Sequence, residues 1–196
     1  MRYFSLILLS FFLFSCQENT QIEQSENMEE TMDDLSIYQL PSEWNTQDGQ
    51  TIEFKDLKGK PLVVVMIYTA CRTACPRLVA DMRMIEERVS SKKMKDIQYV
   101  MVSIDPINDT PEKLKQFAKD NQMEGPEWLF LQGTEDGVRD FANIMAVKYK
   151  QINPIDFSHS NIISVFDRQG VMKYQKEGLG LVNEEIVNKI VAVAKN

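Results

Sequence analysis

The sequence has few residues of the kinds that form disulfides or bind soft metals, with three cysteines and one histidine among 196 residues. A disulfide scaffold is not required, because a chain of this length can bury a hydrophobic core as one domain. The apolar run near its start, residues 3–14, is about a dozen residues long, whereas a membrane-spanning helix needs roughly 20. That run is therefore excluded as a transmembrane helix.

The N-terminal segment instead predicts an export signal that ends in a lipid anchor. Arg2 supplies a positive charge before the apolar run, and the sequence Leu-Phe-Ser-Cys follows at residues 13–16. This ending resembles the lipobox of bacterial lipoproteins, in which the cysteine carries the lipid; an ordinary cleaved signal is the alternative. We predict a signal peptide over residues 1–16, lipidation of Cys16, and a lipid-anchored location on the periplasmic side of the bacterial cell envelope.

Residues 17–40 are predicted to form an acidic, flexible tether that leads into a domain over residues 41–196. Seven acidic side chains and no Lys or Arg lie between residues 17 and 35, a composition typical of solvated chain. Without this segment and Arg2, 22 acidic and 21 basic side chains remain. Since nucleic-acid binding needs a basic face, a nucleic-acid partner is excluded.

In the domain, predicted strands alternate with predicted helices. The β-branched run at residues 61–68 is typical of a strand buried on both faces, and apolar residues recur at helical spacing from 78 to 89. Asp109 or Thr110 can cap a further helix, and neither is given a catalytic role. Other strands are predicted at residues 97–103, 128–131, 162–166 and 171–175, and the last helix at 183–195. This order predicts a mixed α/β sheet with both faces covered.

Cys71 and Cys75 lie at the junction between the first of these strands and its helix. The unpaired N–H groups and the dipole at a helix start stabilise a thiolate, and Arg72 adds a nearby cation. The spacing of the two cysteines lets their sulfurs converge, so disulfide closure and two-sulfur metal ligation are both open. A purely structural disulfide is disfavoured because so small a loop removes little entropy from the unfolded chain.

Several motifs occur in a characteristic order over about residues 45–195. The buried strand is followed by Cys-Arg-Thr-Ala-Cys-Pro at 71–76, Ser-Ile-Asp-Pro-Ile-Asn-Asp-Thr-Pro at 103–111, Trp128, and His-Ser at 159–160. This order resembles the Sco family, whose members are membrane-tethered copper metallochaperones with a thioredoxin-like fold. The resemblance implies an α/β, thioredoxin-like fold with an extra strand–helix module, which we place at about residues 128–147.

The resemblance also implies a copper site formed by Cys71, Cys75 and His159. Soft thiolates select Cu(I), and one imidazole completes a three-coordinate site, whereas tetrahedral zinc would need a fourth ligand. The implied function is delivery of copper to the copper-bearing subunit of cytochrome c oxidase or to another copper protein. Because binding requires a reduced cysteine pair in an oxidising compartment, a thiol reductant is a further expected partner.

Two departures from the family add some weight to an alternative function. Members often have proline directly after the first cysteine and an acidic residue directly before the histidine, where this chain has Arg72 and Ser158. A cation beside the site favours the free thiolate but opposes bound Cu(I). The alternative is an extracytoplasmic thiol-disulfide oxidoreductase, with Cys71 and Cys75 as the catalytic redox pair, the first attacking and the second resolving. A peroxidase or a non-catalytic binding domain agrees less well with the motifs around the cysteines.

Overall fold

The computed structural model describes residues 36–94, 96–180 and 184–195. It contains nine strands and four α-helices in these ranges, with short 3-10 turns at Ile37–Gln39 and Phe54–Leu57. The elements are β1 (Glu43–Thr46), β2 (Thr51–Glu53), β3 (Leu62–Ile67), α1 (Cys75–Ser91), β4 (Gln98–Ser103), α2 (Pro111–Asp120), β5 (Trp128–Gln132), α3 (Glu135–Ile144), β6 (Tyr149–Asn153), β7 (Asp156–His159), β8 (Ile162–Phe166), β9 (Met172–Glu177) and α4 (Glu184–Lys195).

Seven strands form one sheet in the order β2-β1-β5-β4-β3-β8-β9. The neighbours β3, β4 and β5 are parallel, so each connection between them needs a crossover, which α1 and α2 supply. β8 pairs antiparallel with β3, and β9 pairs antiparallel with β8. The strands β4-β3-β8-β9 with α1, α2 and α4 form a thioredoxin-like core, while β5 and α3 add the extra module beside β4. The predicted fold class is confirmed.

The centre of the core is β3, which is buried at every position. β4 and β8, which flank it, are also buried throughout, and α1 packs Leu78, Met82 and Ile85 into the interior with no exposed surface. Each such aliphatic side chain contributes about 1.5–3 kcal/mol through burial. The end of β3 is therefore held firmly, and the cysteine loop begins there.

The folded domain includes residues that the sequence places in the tether. Ile37, Tyr38 and Leu40 are buried, the Ile37 amide donates to the Gly170 carbonyl at 2.9 Å, and Ser36 forms a β-bridge with Val171. Residues 36–40, which the composition assigns to the tether, therefore pack against the domain. The segment is acidic as a whole, but its last residues include a short apolar stretch, which packs on the turn between β8 and β9.

The predicted signal peptide, the lipidation site Cys16 and tether residues 17–35 lie outside the described residues, as does Asn183, the predicted first residue of the last helix. Within the described ranges, no helix combines the length and the apolar character that crossing a bilayer requires.

Replacing a side chain of this early segment tests whether it belongs to the domain. Ile37→Ala should lower the free energy of unfolding by about 2–4 kcal/mol, because it leaves a cavity in a packed region. Urea-induced unfolding followed by circular dichroism measures the change. Ile107→Ala makes the same truncation at a side chain that is 68% exposed, and it should cost less than about 0.5 kcal/mol. If Ile37→Ala lowered the free energy of unfolding as little as Ile107→Ala does, the packing of Ile37 in the domain would be contradicted.

Candidate metal centre

The two cysteines lie where β3 leads into α1, as predicted. Cys71 is in the connecting loop and Cys75 is the first residue of α1. The Cys75 amide donates to the Cys71 sulfur at 3.2 Å, so this sulfur satisfies one of the unpaired N–H groups at the helix start. Pro76 follows within the first turn, where its missing N–H costs nothing. Both cysteines are free thiols.

A buried carboxylate holds the cysteine loop in place. Asp109 accepts hydrogen bonds from the Thr69 amide at 3.0 Å, from the Thr69 hydroxyl, and from the Ser103 hydroxyl at 2.6 Å. Burial raises the pKa of Asp109, although these hydrogen bonds act in the opposite direction. Thr110 performs the predicted capping role, since its hydroxyl accepts from the Lys113 amide. The role of Asp109 toward Thr69 was not predicted, because the two are brought together only by the pairing of β3 with β4.

His159 is the last residue of β7, not part of a loop as predicted. Its Nδ1 lies 3.1 Å from the Ser160 carbonyl oxygen, and because a carbonyl only accepts hydrogen bonds, Nδ1 carries a proton. In the neutral ring, Nε2 then has a free lone pair, and this atom lies 3.8 Å from the Cys75 sulfur. Burial lowers the pKa of His159, which favours the neutral ring.

The structure brings the three predicted ligand residues together. The sulfurs of Cys71 and Cys75 and a ring nitrogen of His159 all lie within 4.8 Å of one another. In a three-coordinate site with bonds of about 2.0–2.3 Å, the ligand atoms would lie roughly 3.5–4.0 Å apart. Small side-chain movements therefore suffice to close the three atoms around one metal ion.

The two thiols differ in their tendency to ionise. Burial raises the pKa of Cys71, but hydrogen bonds from Cys75 and Thr73 act in the opposite direction, and the net pKa is lowered. Burial raises the pKa of Cys75, and its hydrogen bond to Cys71 raises it further. Cys71 is 7% exposed and Cys75 is fully buried. Cys71 is therefore the more acidic thiol of the pair, and Cys75 is the thiol that ionises less readily.

A tyrosine that the sequence does not single out joins the two halves of the site. The Tyr68 hydroxyl donates to the Asp156 carboxylate at 2.6 Å and lies 3.0 Å from the Phe157 carbonyl oxygen. Its ring packs edge-on against the His159 ring, with centroids 5.8 Å apart. Burial raises the pKa of Tyr68, so the hydroxyl remains a neutral donor. Tyr68 and Asp156 are 88 residues apart, and no local pattern relates them.

The positions that depart from the expected motif have solvent-facing side chains. Arg72 and Ser158 are both exposed. Solvent and salt screen the charge of an exposed cation. Arg72 was expected to favour a thiolate at the cysteine pair, and the hydrogen bonds to Cys71 act in that same direction, since they lower its pKa.

Comparison with known proteins places these features in context. A family model described as SCO1/SenC matches residues 25–195. The SCO1 protein homolog of Bacillus subtilis (strain 168) is 31% identical over 111 residues, which cover 56% of this chain and 57% of that protein. The chain thus spans less than two thirds of the length of this curated relative.

Solved structures share the fold. The SCO1/SenC family lipoprotein from Bacillus anthracis str. Ames has a TM-score of 0.73 and 25% identity, covering 81% of this chain and 96% of that chain. Copper-bound ScoI from Bradyrhizobium japonicum has a TM-score of 0.66 and 22% identity, covering 78% of this chain and 97% of that chain. At the identity of the second structure, the likeness shows the fold alone.

The difference between the two thiols predicts an order of alkylation. In the reduced, metal-free protein, iodoacetamide should modify Cys71 well before Cys75, and at pH values below the ordinary thiol pKa of about 8.5, because only the thiolate reacts. Peptide mass spectrometry over a pH series separates the cysteines. Cys75 should react at the rate of an ordinary thiol only after unfolding in urea. Faster modification of Cys75 in the folded protein would contradict the assigned order of acidity.

Proposed function

The chain belongs to the SCO1/SenC family, and from this membership and its site we propose that it is a copper metallochaperone that carries Cu(I) on Cys71, Cys75 and His159. The observation on which the proposal depends is the convergence of these three ligand atoms within 4.8 Å. The copper-bound structure of the Bradyrhizobium japonicum protein supports copper as the metal.

The chemistry of the donor set fits Cu(I). Two thiolates and one imidazole are soft or intermediate ligands, and they suit a three-coordinate Cu(I) ion better than a hard cation. His159 presents its lone pair in advance, because the Ser160 carbonyl fixes the proton on Nδ1. Cys75, with its raised pKa, releases a proton when copper binds, so the affinity for copper increases with pH.

The exposure of the site suits transfer of a cargo ion. Cys75 is fully buried, whereas Cys71 retains some exposure and His159 is only partly buried. Ligands of an acceptor can therefore approach from the side of Cys71 and His159 and displace them one at a time. The proposed acceptor is the copper-bearing subunit of cytochrome c oxidase or another copper protein, as expected from the Sco resemblance.

We also propose where the protein is located and what reduces its cysteine pair. A lipid on Cys16 would hold the protein on the periplasmic side of the cell envelope, with the acidic segment as a tether. Because thiols in such a compartment are oxidised, a thiol reductant must regenerate the Cys71–Cys75 dithiol before copper binds.

The second candidate function is thiol-disulfide exchange. The more exposed, more acidic Cys71 and the buried Cys75 have the properties of an attacking and a resolving thiol. His159 distinguishes the two functions, since a copper carrier needs its Nε2 as a ligand and disulfide exchange between the two sulfurs does not.

Competition titration of Cu(I) against a chromophoric chelator tests the proposal on the purified, reduced full-length protein. The wild type should bind one Cu(I), and Cys71→Ser, Cys75→Ser and His159→Ala should each weaken binding by more than about 10-fold, since even outer-shell partners of metal ligands cost 10–100-fold. Cys16→Ser is the matched control, because it removes a cysteine that is not assigned to copper, and it should bind as the wild type does.

Two results would contradict the copper carrier. One is Cu(I) binding by the oxidised protein as tight as binding by the reduced protein, since a disulfide lacks thiolate ligands. The other is turnover of a disulfide substrate that is lost in Cys71→Ser but kept in His159→Ala, together with a Cu(I) affinity that is unchanged in His159→Ala. This second result would support the oxidoreductase.

A further inference from the structure

His159 is carried by an element that is weakly packed on the domain. The β6–β7 hairpin forms a sheet of its own beside the seven-stranded sheet, and most of its side chains are exposed. A cavity of about 120 Å³ separates part of it from the domain, with Ile104, Val138, Tyr149 and Phe157 among the residues that line it. An isolated two-stranded hairpin has little stability of its own. The position of His159 therefore depends on individual contacts between the hairpin and the domain.

Tyr68 makes such contacts next to the metal centre. It is 2% exposed, and its hydroxyl donates to the Asp156 carboxylate at 2.6 Å, a charge-assisted bond of the stronger kind. Its ring also packs edge-on against Phe157, with centroids 5.4 Å apart, and against His159. Tyr68 directly follows β3, so these contacts connect the hairpin to a strand that is buried at every position.

The strand β7 connects the contact at Asp156 to the imidazole of His159. Asp156 and His159 are the first and last residues of one four-residue strand, which spans about 10 Å at roughly 3.3 Å per residue. Another contact, from the Asn108 amide to the Pro154 carbonyl at 3.1 Å, is at the turn of the hairpin and exposed to solvent. Asp156 is exposed as well, but this contact lies closer along the chain to His159, and its other partner, Tyr68, is a buried side chain.

We propose that Tyr68 is a positioning residue for the metal centre, and that its hydrogen bond to Asp156 holds His159 within bonding distance of the two sulfurs. Tyr68 is not a ligand and acts through His159. The expected effect of Tyr68 on copper affinity rests on the proposed function. Without the Tyr68 hydroxyl, the hairpin samples more positions. Copper binding must then order the imidazole, and the entropy lost in doing so lowers the affinity for copper.

Cu(I) competition titrations on the reduced full-length protein test this role. Tyr68→Phe keeps the ring and its packing but removes the hydrogen bond, and it should lower the Cu(I) affinity by about 10-fold. Asp156→Ala should have a similar effect. Tyr174→Phe is the matched control, because the Tyr174 hydroxyl also faces a carboxylate, that of Glu185 at 3.5 Å, and it should leave the affinity unchanged.

A double-mutant cycle shows whether Tyr68 acts through the imidazole. In a His159→Ala background, Tyr68→Phe should change the Cu(I) affinity by less than about 2-fold, because no third ligand is left to position. An equal loss in both backgrounds would overturn the proposal, since Tyr68 would then affect copper binding by a route other than His159. An unchanged affinity in the single Tyr68→Phe variant would also overturn it.

A measurement without copper separates this proposal from the proposed function. His159 is the only histidine of the chain, so histidine-labelled, metal-free protein gives one set of imidazole NMR signals. The wild type should show nuclear Overhauser contacts between this ring and the Tyr68 ring, and Tyr68→Phe should weaken them or broaden the signal. An identical spectrum would overturn the positioning role. The expected change, combined with a wild-type Cu(I) affinity that does not depend on His159, would support positioning and refute the copper carrier.

Discussion

The register between β3 and β8 is the constraint on which the site depends. Val65 pairs with Ile163 in this antiparallel ladder, so the chain just before β8 passes over the end of β3, where the cysteine loop begins. His159 lies three residues before β8 and reaches the sulfurs for this reason. Both faces of β8 are buried, so a slip of one residue would exchange its side chains between two packed faces, and the full burial of both strands makes that slip costly. Core packing therefore brings the chain that carries His159 to this end of the sheet, as well as stabilising the fold.

At this site, the three donor groups differ in their acid–base properties. Hydrogen bonds lower the pKa of Cys71, burial raises the pKa of Cys75, and burial lowers the pKa of His159, which favours the neutral ring. The asymmetry of the sulfurs suits both metal binding and disulfide exchange, which is why one cysteine pair supports two candidate functions. The imidazole distinguishes them, and its position depends on a hairpin with few contacts to the core.

Part of the fold was predictable because its signals are local. The continuous apolar run of β3, the helical periodicity of α1 and the cysteines between them are each read from neighbouring residues, and the structure agrees with them. The strands β1, β2, β6 and β7 were not predicted, since they are short and partly exposed and lack a strong periodic pattern. The packing of Ile37 and the contact of Asp109 with Thr69 were also missed, because both depend on pairing between distant strands.

The sequence by itself determined which donor atoms are available and placed two of them at the start of a helix, because that arrangement arises within a few residues of the chain. It could not decide whether the histidine joins them. His159 is 84 residues from Cys75, and the Tyr68–Asp156 contact bridges 88 residues. Such proximity results from strand pairing and burial over the whole domain, so only the tertiary structure decided that the three ligand atoms converge.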